Sequence, residues 1–173
     1  MKKKIIILCT IVLTLAFALT LSACVQFEEP FEAPEGFSWW TNNQIAFLLS
    51  DSWNEATPIA GVDVQFGTGL PNFNIVSGRR STELDDIDLE EYRRSIEAGL
   101  PGAVVSNVQR ESVVYNEVEM TRISLTTTLM GTSMAQEQYI IQARRRTIAI
   151  TFTMSPGTSR CFINEVIDNL IVI

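Results

Sequence analysis

Histidine does not occur anywhere in the 173 residues, and its absence excludes much chemistry. Histidine-based catalytic triads, histidine general bases and histidine metal ligands are all ruled out. Lysine occurs only as Lys2, Lys3 and Lys4, so a Ser-x-x-Lys site cannot form further along the chain. The sequence also has no Gly-x-Ser-x-Gly motif, phosphate-binding glycine loop or zinc spacing. We therefore expect a protein that is not an enzyme and that holds no cofactor or metal ion.

Basic residues are few, and the chain is acidic. Its 13 Lys and Arg stand against 20 Asp and Glu, which gives a net charge of −7. Without the three N-terminal lysines, ten arginines remain against the same 20 acids, and the charge becomes −10. Such a surface repels a phosphate backbone and has no polybasic segment to hold anionic lipids. Nucleic acid is therefore not an expected partner.

The N-terminus has the order of a secretory signal. Lys2 to Lys4 precede an uncharged, mostly apolar run from Ile5 to Leu21. The run ends in Leu21-Ser22-Ala23-Cys24, which resembles the lipobox of bacterial lipoproteins, where the cysteine is acylated and becomes the new N-terminus. The alternative is a transmembrane anchor with an incidental cysteine, since the run is marginally long enough to span a bilayer.

The lipobox predicts three segments. Residues 1–23 are a lipoprotein signal peptide, residues 24–36 are the acylated Cys24 and an acidic, proline-containing tether, and residues 37–173 form a single domain. We expect a membrane-anchored, extracytoplasmic protein, on the outer face of the cell membrane or on the outer membrane of a Gram-negative host. Cys9 is lost with the signal and Cys24 is acylated, so Cys161 has no disulfide partner and is expected to be a half-buried structural thiol. The alternative is a nucleophile at the start of a helix, although no histidine is present to act as its base.

Strands dominate the predicted domain, beginning with a pair at residues 38–41 and 44–50 that turns at Asn42-Asn43. Further strands are predicted at 62–66 and 73–77. A meander follows at 104–115, 118–130, 134–143 and 147–155, with Gly131-Thr132 as one of its turns. Apolar residues alternate with threonine along two of these strands, which is typical of an antiparallel sheet packed on one side.

Two helices are predicted, one in the middle of the chain and one near its end. Asp88 stands three residues before Glu91, which is the spacing of a helix N-cap, and Gly99 is a natural C-terminal stop. A final helix, capped by Thr158 or Ser159, directs apolar residues inward and is followed by a short edge strand at 171–173.

This order of elements resembles the Mog1/PsbP-like family. The resemblance lies in five segments: Phe47–Trp53, Phe73–Val76, Leu89–Tyr92, Ile148–Phe152 and Val166–Ile171. It implies an α+β domain, an α/β/α sandwich in which an antiparallel sheet of about six or seven strands is flanked by helices. Members of this family share no catalytic residue set and mostly bind partners, so the resemblance implies an accessory function without fixing it.

Two groups of residues, one of arginines and one of tryptophans, are candidate partner contacts. Arg144, Arg145 and Arg146 form the densest basic patch of this acidic chain, and Arg79-Arg80 is a weaker pair of the same kind. Guanidinium groups bind carboxylates and phosphates bidentately. The alternative is a solvated hairpin tip. Trp39 and Trp40 follow the tether directly. Either one faces the core while the other covers the sheet, or both form an exposed docking surface.

The sequence as a whole favours a non-enzymatic binding module. We expect a membrane-anchored accessory domain that engages another envelope protein. The alternative is a carrier for a small or lipidic ligand, since the apolar residues are numerous enough to line a cleft between sheet and helices.

Overall fold

The computed structural model describes residues 28–42, 44–79, 87–144 and 146–173. The chain divides into two compact units, residues 1–30 and 31–173, and the second carries the fold. Leu21, Ser22, Ala23 and Cys24 lie outside the described residues, as do Arg80 and Arg145. No helix within the described ranges is long and apolar enough to span a membrane.

A seven-stranded antiparallel sheet forms the largest layer. Its strand order is β3-β4-β5-β9-β8-β7-β6, so the long meander lies on one side and the early strands lie on the other. The sequence predicts these strands to within a few residues except for β3, which is only two residues long. The bounds are β3 Glu55–Ala56, β4 Val64–Phe66, β5 Asn72–Arg79, β6 Ala103–Tyr115, β7 Val118–Leu129, β8 Thr132–Gln142 and β9 Arg146–Met154.

A second sheet of three strands packs against the first. Its order is β1-β2-β10, with bounds Phe37–Thr41, Ile45–Ser50 and Ile171–Val172. The turn between β1 and β2 is stabilised by Asn42, whose Oδ1 accepts hydrogen bonds from the backbone N–H groups of Gln44 and Ile45 at 2.9 and 3.0 Å. The predicted C-terminal edge strand is present as β10, which pairs with β2.

Two helices complete the described fold, α1 at Leu89–Gly99 and α2 at Cys161–Ile167. Asp88 caps α1 as predicted, since its side chain accepts from two backbone N–H groups of the first turn. The predicted cap of α2 at Thr158 or Ser159 is wrong. The N-cap is Arg160, which makes no side-chain capping hydrogen bond, because the chain enters the helix from the turn after Pro156-Gly157.

The main sheet is packed on both faces, as the predicted α/β/α sandwich implies and not on one face as the alternation along single strands suggests. Ile123 and Leu125 of β7 point to one face and form a small cluster with Tyr92 and Ile96 of α1. Ile148 and its alternating neighbours on β9 point to the opposite face. There they join the larger core under β2 and α2, whose fully buried members include Phe47, Phe66, Phe73, Ile150, Phe152 and Ile163. The two clusters cover opposite faces of the same sheet because the apolar rows of β7 and β9 have opposite parity in the strand register.

Two hairpins of the meander turn in two residues with positive φ at both central positions. The β6–β7 turn is Asn116-Glu117, with φ of 47° and 63°. The β7–β8 turn is Met130-Gly131, with φ of 51° and 79°, one residue earlier than the predicted Gly131-Thr132. Such turns match the twist of the flanking strands and favour Asn-Gly pairs, because few side chains tolerate positive φ.

Candidate functional site

One described arginine from each of the two predicted groups lies at the same end of the main sheet. Strand β5 pairs antiparallel with β9, and the register places Arg79 directly opposite Arg146. Arg144 lies in the turn that leads into β9. All three side chains are exposed. We call Arg79, Arg144 and Arg146 the arginine end of the domain.

The arginine end concentrates positive charge on an acidic protein. Residues directly opposite each other across an antiparallel pair have Cβ atoms about 4.5–5.5 Å apart, and like charges at this distance repel. Among the described residues, Arg93 pairs with Glu90 on α1, and Arg160 pairs with Glu137 between α2 and β8. Arg79 and Arg146 have no carboxylate partner among the described residues, which suits a carboxylate or phosphate supplied by another molecule.

The two adjacent tryptophans point in opposite directions from β1. Trp40 packs on the main core, stacked on Phe47 with ring centroids 4.9 Å apart and edge-on to Phe66 at 5.7 Å. Trp39 contacts the ring of Phe31 at 5.2 Å and donates from Nε1 to the Phe31 carbonyl at 3.1 Å. One faces the core and the other lies on the outer side, so the two rings do not form a joint docking surface.

Phe31 also marks where the compact domain begins. The predicted tether extends to residue 36, but Phe31 already packs on Trp39, and the Gly36 carbonyl accepts a hydrogen bond from the Asp51 N–H at 2.8 Å. The last part of the predicted tether therefore belongs to the folded unit.

A cleft opens beside the turn after β2, where the sequence gives no chemical motif. It has a volume of about 360 Å³ and is lined by Trp53, Glu55, Gly67, Leu70 and Pro71, among others. Gly67 has φ of +78°, and a Cβ there would lie 3.2 Å from Trp53 Cζ3 and 3.2 Å from the Pro71 carbonyl. Glycine is therefore required for the walls to approach each other. The only sequence signal is the cluster of glycines and proline that ends β4.

A polar network joins β8 to the start of α2. Arg160 donates to Glu137 Oε2 at 2.8 Å and to Tyr139 Oη at 3.0 Å, while Tyr139 donates to the same carboxylate at 3.0 Å. Tyr139 is only 1% exposed. Burial raises the pKa of Tyr139 to about 12, and the negative charge of Glu137 adds to this shift. The phenol stays protonated at neutral pH, so this network fixes the helix to the sheet and is poorly suited to act as a base.

Cys161 lies at the first position of α2 and is exposed, so the prediction of a half-buried thiol is wrong. It projects from the outer side of the first turn, while Ile163 and Val166 face the core. The Ser159 hydroxyl donates to its Sγ at 3.0 Å. Among the described residues, no group of three Cys, Asp or Glu side chains is placed to hold a metal ion.

No family model matches this sequence, and no curated protein matches it either. Solved structures are similar in fold. The cyanobacterial PsbP protein (CyanoP) of Synechocystis sp. PCC 6803 aligns with a TM-score of 0.64 at 12% identity, over 87% of this chain and 99% of that one. A protein from Bacteroides thetaiotaomicron VPI-5482 aligns with a TM-score of 0.51 at 16% identity, over 76% of this chain but only 46% of that one. The predicted α+β class is confirmed: this domain, whose described residues form a seven-stranded antiparallel sheet and two helices, has the PsbP-like fold.

Proposed function

We propose that this chain is an extracytoplasmic lipoprotein, anchored through Cys24, whose domain binds an acidic surface of another envelope protein at the arginine end. The observation that carries the proposal is the pairing of Arg79 with Arg146 on opposing strands, both exposed, next to Arg144. Local like-charge repulsion costs stability. A partner carboxylate that binds both guanidinium groups would remove this cost and add charge-assisted hydrogen bonds.

The charge distribution supports selectivity for such a partner. The chain outside the lysines of the signal has a net charge of −10, so most of its surface repels acidic proteins. The arginine end then orients the encounter, because complementary charges steer association and suppress wrong orientations.

Anchoring is supported by the N-terminal sequence. Lys2 to Lys4, the uncharged run and Leu21-Ser22-Ala23-Cys24 have the order that lipoprotein processing requires. Two acyl chains hold a protein stably at a bilayer, whereas one chain alone binds reversibly.

Co-purification from detergent-solubilised membranes tests the partner. An envelope protein should be captured by the wild-type chain and by Arg94→Glu, which makes the same charge change on α1 where the side chain is 67% exposed. Capture should be lost with Arg79→Glu combined with Arg146→Glu, and it should weaken at high salt. Equal capture by the double variant, or capture that does not respond to salt, would contradict the proposal.

A carrier function is the second candidate, and the cleft at Trp53 favours it. Its volume of about 360 Å³ suits a small molecule, and Trp53 and Leu70 supply apolar contact. Native mass spectrometry of the purified chain should then show a bound small molecule that is lost in Thr68→Trp, which fills the cleft. A bare mass for the wild-type chain would count against a carrier.

A further inference from the structure

A second cavity opens on β6 and β7, two strands that β8 and β9 separate from β5 and from the cleft at Trp53. It has a volume of about 310 Å³ and is lined by Gln109, Arg110, Glu111, Arg122 and Ser124. The register places Gln109 opposite Ser124 and Glu111 opposite Arg122. Opposed residues and residues two apart in a strand share a face, so these four side chains lie on the same side of the sheet.

Arg122 brings a half-buried guanidinium group to this cavity. Its side chain is 21% exposed and contacts the Glu111 carboxylate through one nitrogen. Glu111 is its ion-pair partner among the described residues. A guanidinium group has five N–H donors in a planar fork, so most of the donors of Arg122 remain after this contact. Arg122 can therefore donate to an acceptor in the cavity while it keeps its contact with Glu111.

Two further polar groups of the cavity have no hydrogen-bond partner in the part of the chain that the structure describes. They are the Ser124 hydroxyl, which is half-buried, and the Gln109 amide, which is exposed. A half-buried hydroxyl that lacks a partner gains free energy when a ligand supplies one. The cavity therefore offers a cluster of donors on one side of the sheet.

The neighbouring strand β8 continues this polar surface. Ser124 lies opposite Glu137 in the register, and Arg122 lies opposite Tyr139. The Cβ atoms of such pairs are about 4.5–5.5 Å apart. Glu137 is 13% exposed and accepts from Arg160 at 2.8 Å, and Arg160 also donates to Tyr139 Oη at 3.0 Å. Arg122 and Arg160 therefore both lie next to Tyr139, and each is paired with a carboxylate.

Two guanidinium groups and two carboxylates thus share this part of the sheet, and their charges balance. A bare anion bound here would meet the carboxylates of Glu111 and Glu137, and a bare cation would meet two guanidinium groups. A ligand that carries both charges can pair with each in turn. The cavity is also large enough for a small molecule of this kind.

We propose that the cavity beside Arg122 binds a small dipolar molecule of the amino-acid class. Arg122 and Ser124 donate to its carboxylate, and Glu111 accepts from its ammonium group through the carboxylate oxygen that does not contact Arg122. Gln109 lies beside the ligand's side chain. This site is separate from the arginine end, so it stands independently of the partner proposed there.

Equilibrium dialysis of the full chain in detergent tests the site, with a mixture of radiolabelled amino acids as the probe. The wild-type chain should retain label, and Ser124→Phe, which fills the cavity and leaves the ion pair in place, should retain little. Arg122→Met should weaken retention about tenfold or more, because the ligand carboxylate loses a charge-assisted partner. Arg94→Met removes the same charge from α1, where the side chain is 67% exposed, and should bind as the wild type does. Melting temperatures close to wild type show that the variants are folded.

Competition separates a dipolar ligand from simpler ions. Unlabelled amino acids should displace the label, whereas acetate or ethylamine at the same concentration should not, because each carries one of the two charges. A wild-type chain that retains no label overturns the proposal, as does equal retention by Ser124→Phe and Arg122→Met. Displacement by acetate as effective as displacement by amino acids would show a site for a bare anion and would also overturn it.

Two variants from the other sites locate the ligand. Thr68→Trp, in the cleft at Trp53, should retain label. Loss of label in this variant, with retention in Ser124→Phe, would place the ligand in that cleft and overturn the proposal. The chain with Arg79→Glu and Arg146→Glu should also retain label, so that failure of the partner contact and failure of this site are read separately.

Discussion

Replacing Arg79 with glutamate tests directly whether the charges of Arg79 and Arg146 repel each other. Arg79 and Arg146 are register partners on β5 and β9, so their side chains leave the same face of the sheet side by side. A cross-strand charge pair of this kind changes stability by roughly 0.2–1 kcal/mol, with a sign set by the charges. The substitution removes a repulsion and adds an attraction. We therefore expect the free energy of unfolding to rise by about 1 kcal/mol.

Thermal unfolding followed by circular dichroism measures this gain. For a domain of about 150 residues, a gain of 1 kcal/mol corresponds to a rise of roughly 2–4 °C in melting temperature. The gain should shrink at high salt, because exposed charges are screened. Arg94→Glu is the matched control. It introduces the same charge change but breaks the pair between Arg94 and Glu90, so it should lower the melting temperature.

A double-mutant cycle isolates the interaction between the two side chains. Arg79→Gln and Arg146→Gln should each relieve the repulsion, and the double variant should gain less than the sum of the two single gains. A cycle with no coupling, or an Arg79→Glu chain that is less stable than wild type, would refute the argument that the two charges oppose each other. A more stable Arg79→Glu chain that captures less partner would show that the arginines are placed for binding at a cost in stability.

Four further outcomes are expected. Asp88→Ala should lower the free energy of unfolding by about 1 kcal/mol, measured by urea denaturation, because two N–H groups of α1 lose their acceptor. Gly67→Ala should lower it by roughly 1–3 kcal/mol in the same assay, because φ is +78° and the new methyl meets Trp53. Burial raises the pKa of Tyr139 to about 12 in the folded state. The unfolded state loses the phenol proton near pH 10, so the free energy of unfolding should fall by roughly 2 kcal/mol as the pH rises from 10 to 12. Tyr139→Phe should remove this fall from a pH series of melting temperatures. Cys24→Ala should give an uncleaved or unanchored chain that incorporates no labelled fatty acid, and label retained in this variant would contradict lipidation at Cys24.

Local signals in the sequence predict most elements of the fold. Alternation and turn residues locate the long strands, and Asp88 and Asn42 mark a helix start and a hairpin because their side chains bond nearby backbone groups. The sequence does not predict strand β3, because a strand of two residues is too short to show alternating apolar and polar side chains. The N-cap of α2 is predicted wrongly for a different reason: the Ser159 hydroxyl is suited to capping a helix, but the helix begins two residues after it.

The faces of the sheet could not be predicted from alternation. The alternation of apolar and polar residues shows which side chains of one strand point to the same side. The register between neighbouring strands decides to which face of the sheet that side belongs. Ile123 and Ile148 belong to equally clear apolar rows and lie on opposite faces. The consecutive buried residues Tyr139, Ile140 and Ile141 of β8 are the local sign of this, because a strand with both faces covered no longer alternates.

The candidate site depends on the same long-range pairing. Arg79 and Arg146 are each visible in the sequence, yet α1, β6, β7 and β8 lie between them along the chain, so only the sheet topology shows that they meet. Trp39 and Trp40 are the opposite case. Adjacent residues in a strand point to opposite sides, and this alone separates the two rings.

The antiparallel sheet also explains why arginines that are distant in the sequence collect at one end of the domain. Strands β5 and β9 run in opposite directions, so the end of β5 and the start of β9 lie at the same end of the sheet. The charges of β9 lie at its arginine end, while its remaining length to Met154 is uncharged. The same holds for β5, which ends at Arg79 after an uncharged run. Because both strands place their arginines at one end, the opposite ends of β5 and β9 are left without charged residues. On the proposed function, an acidic partner surface is therefore attracted to one end of these two strands, where the arginines lie.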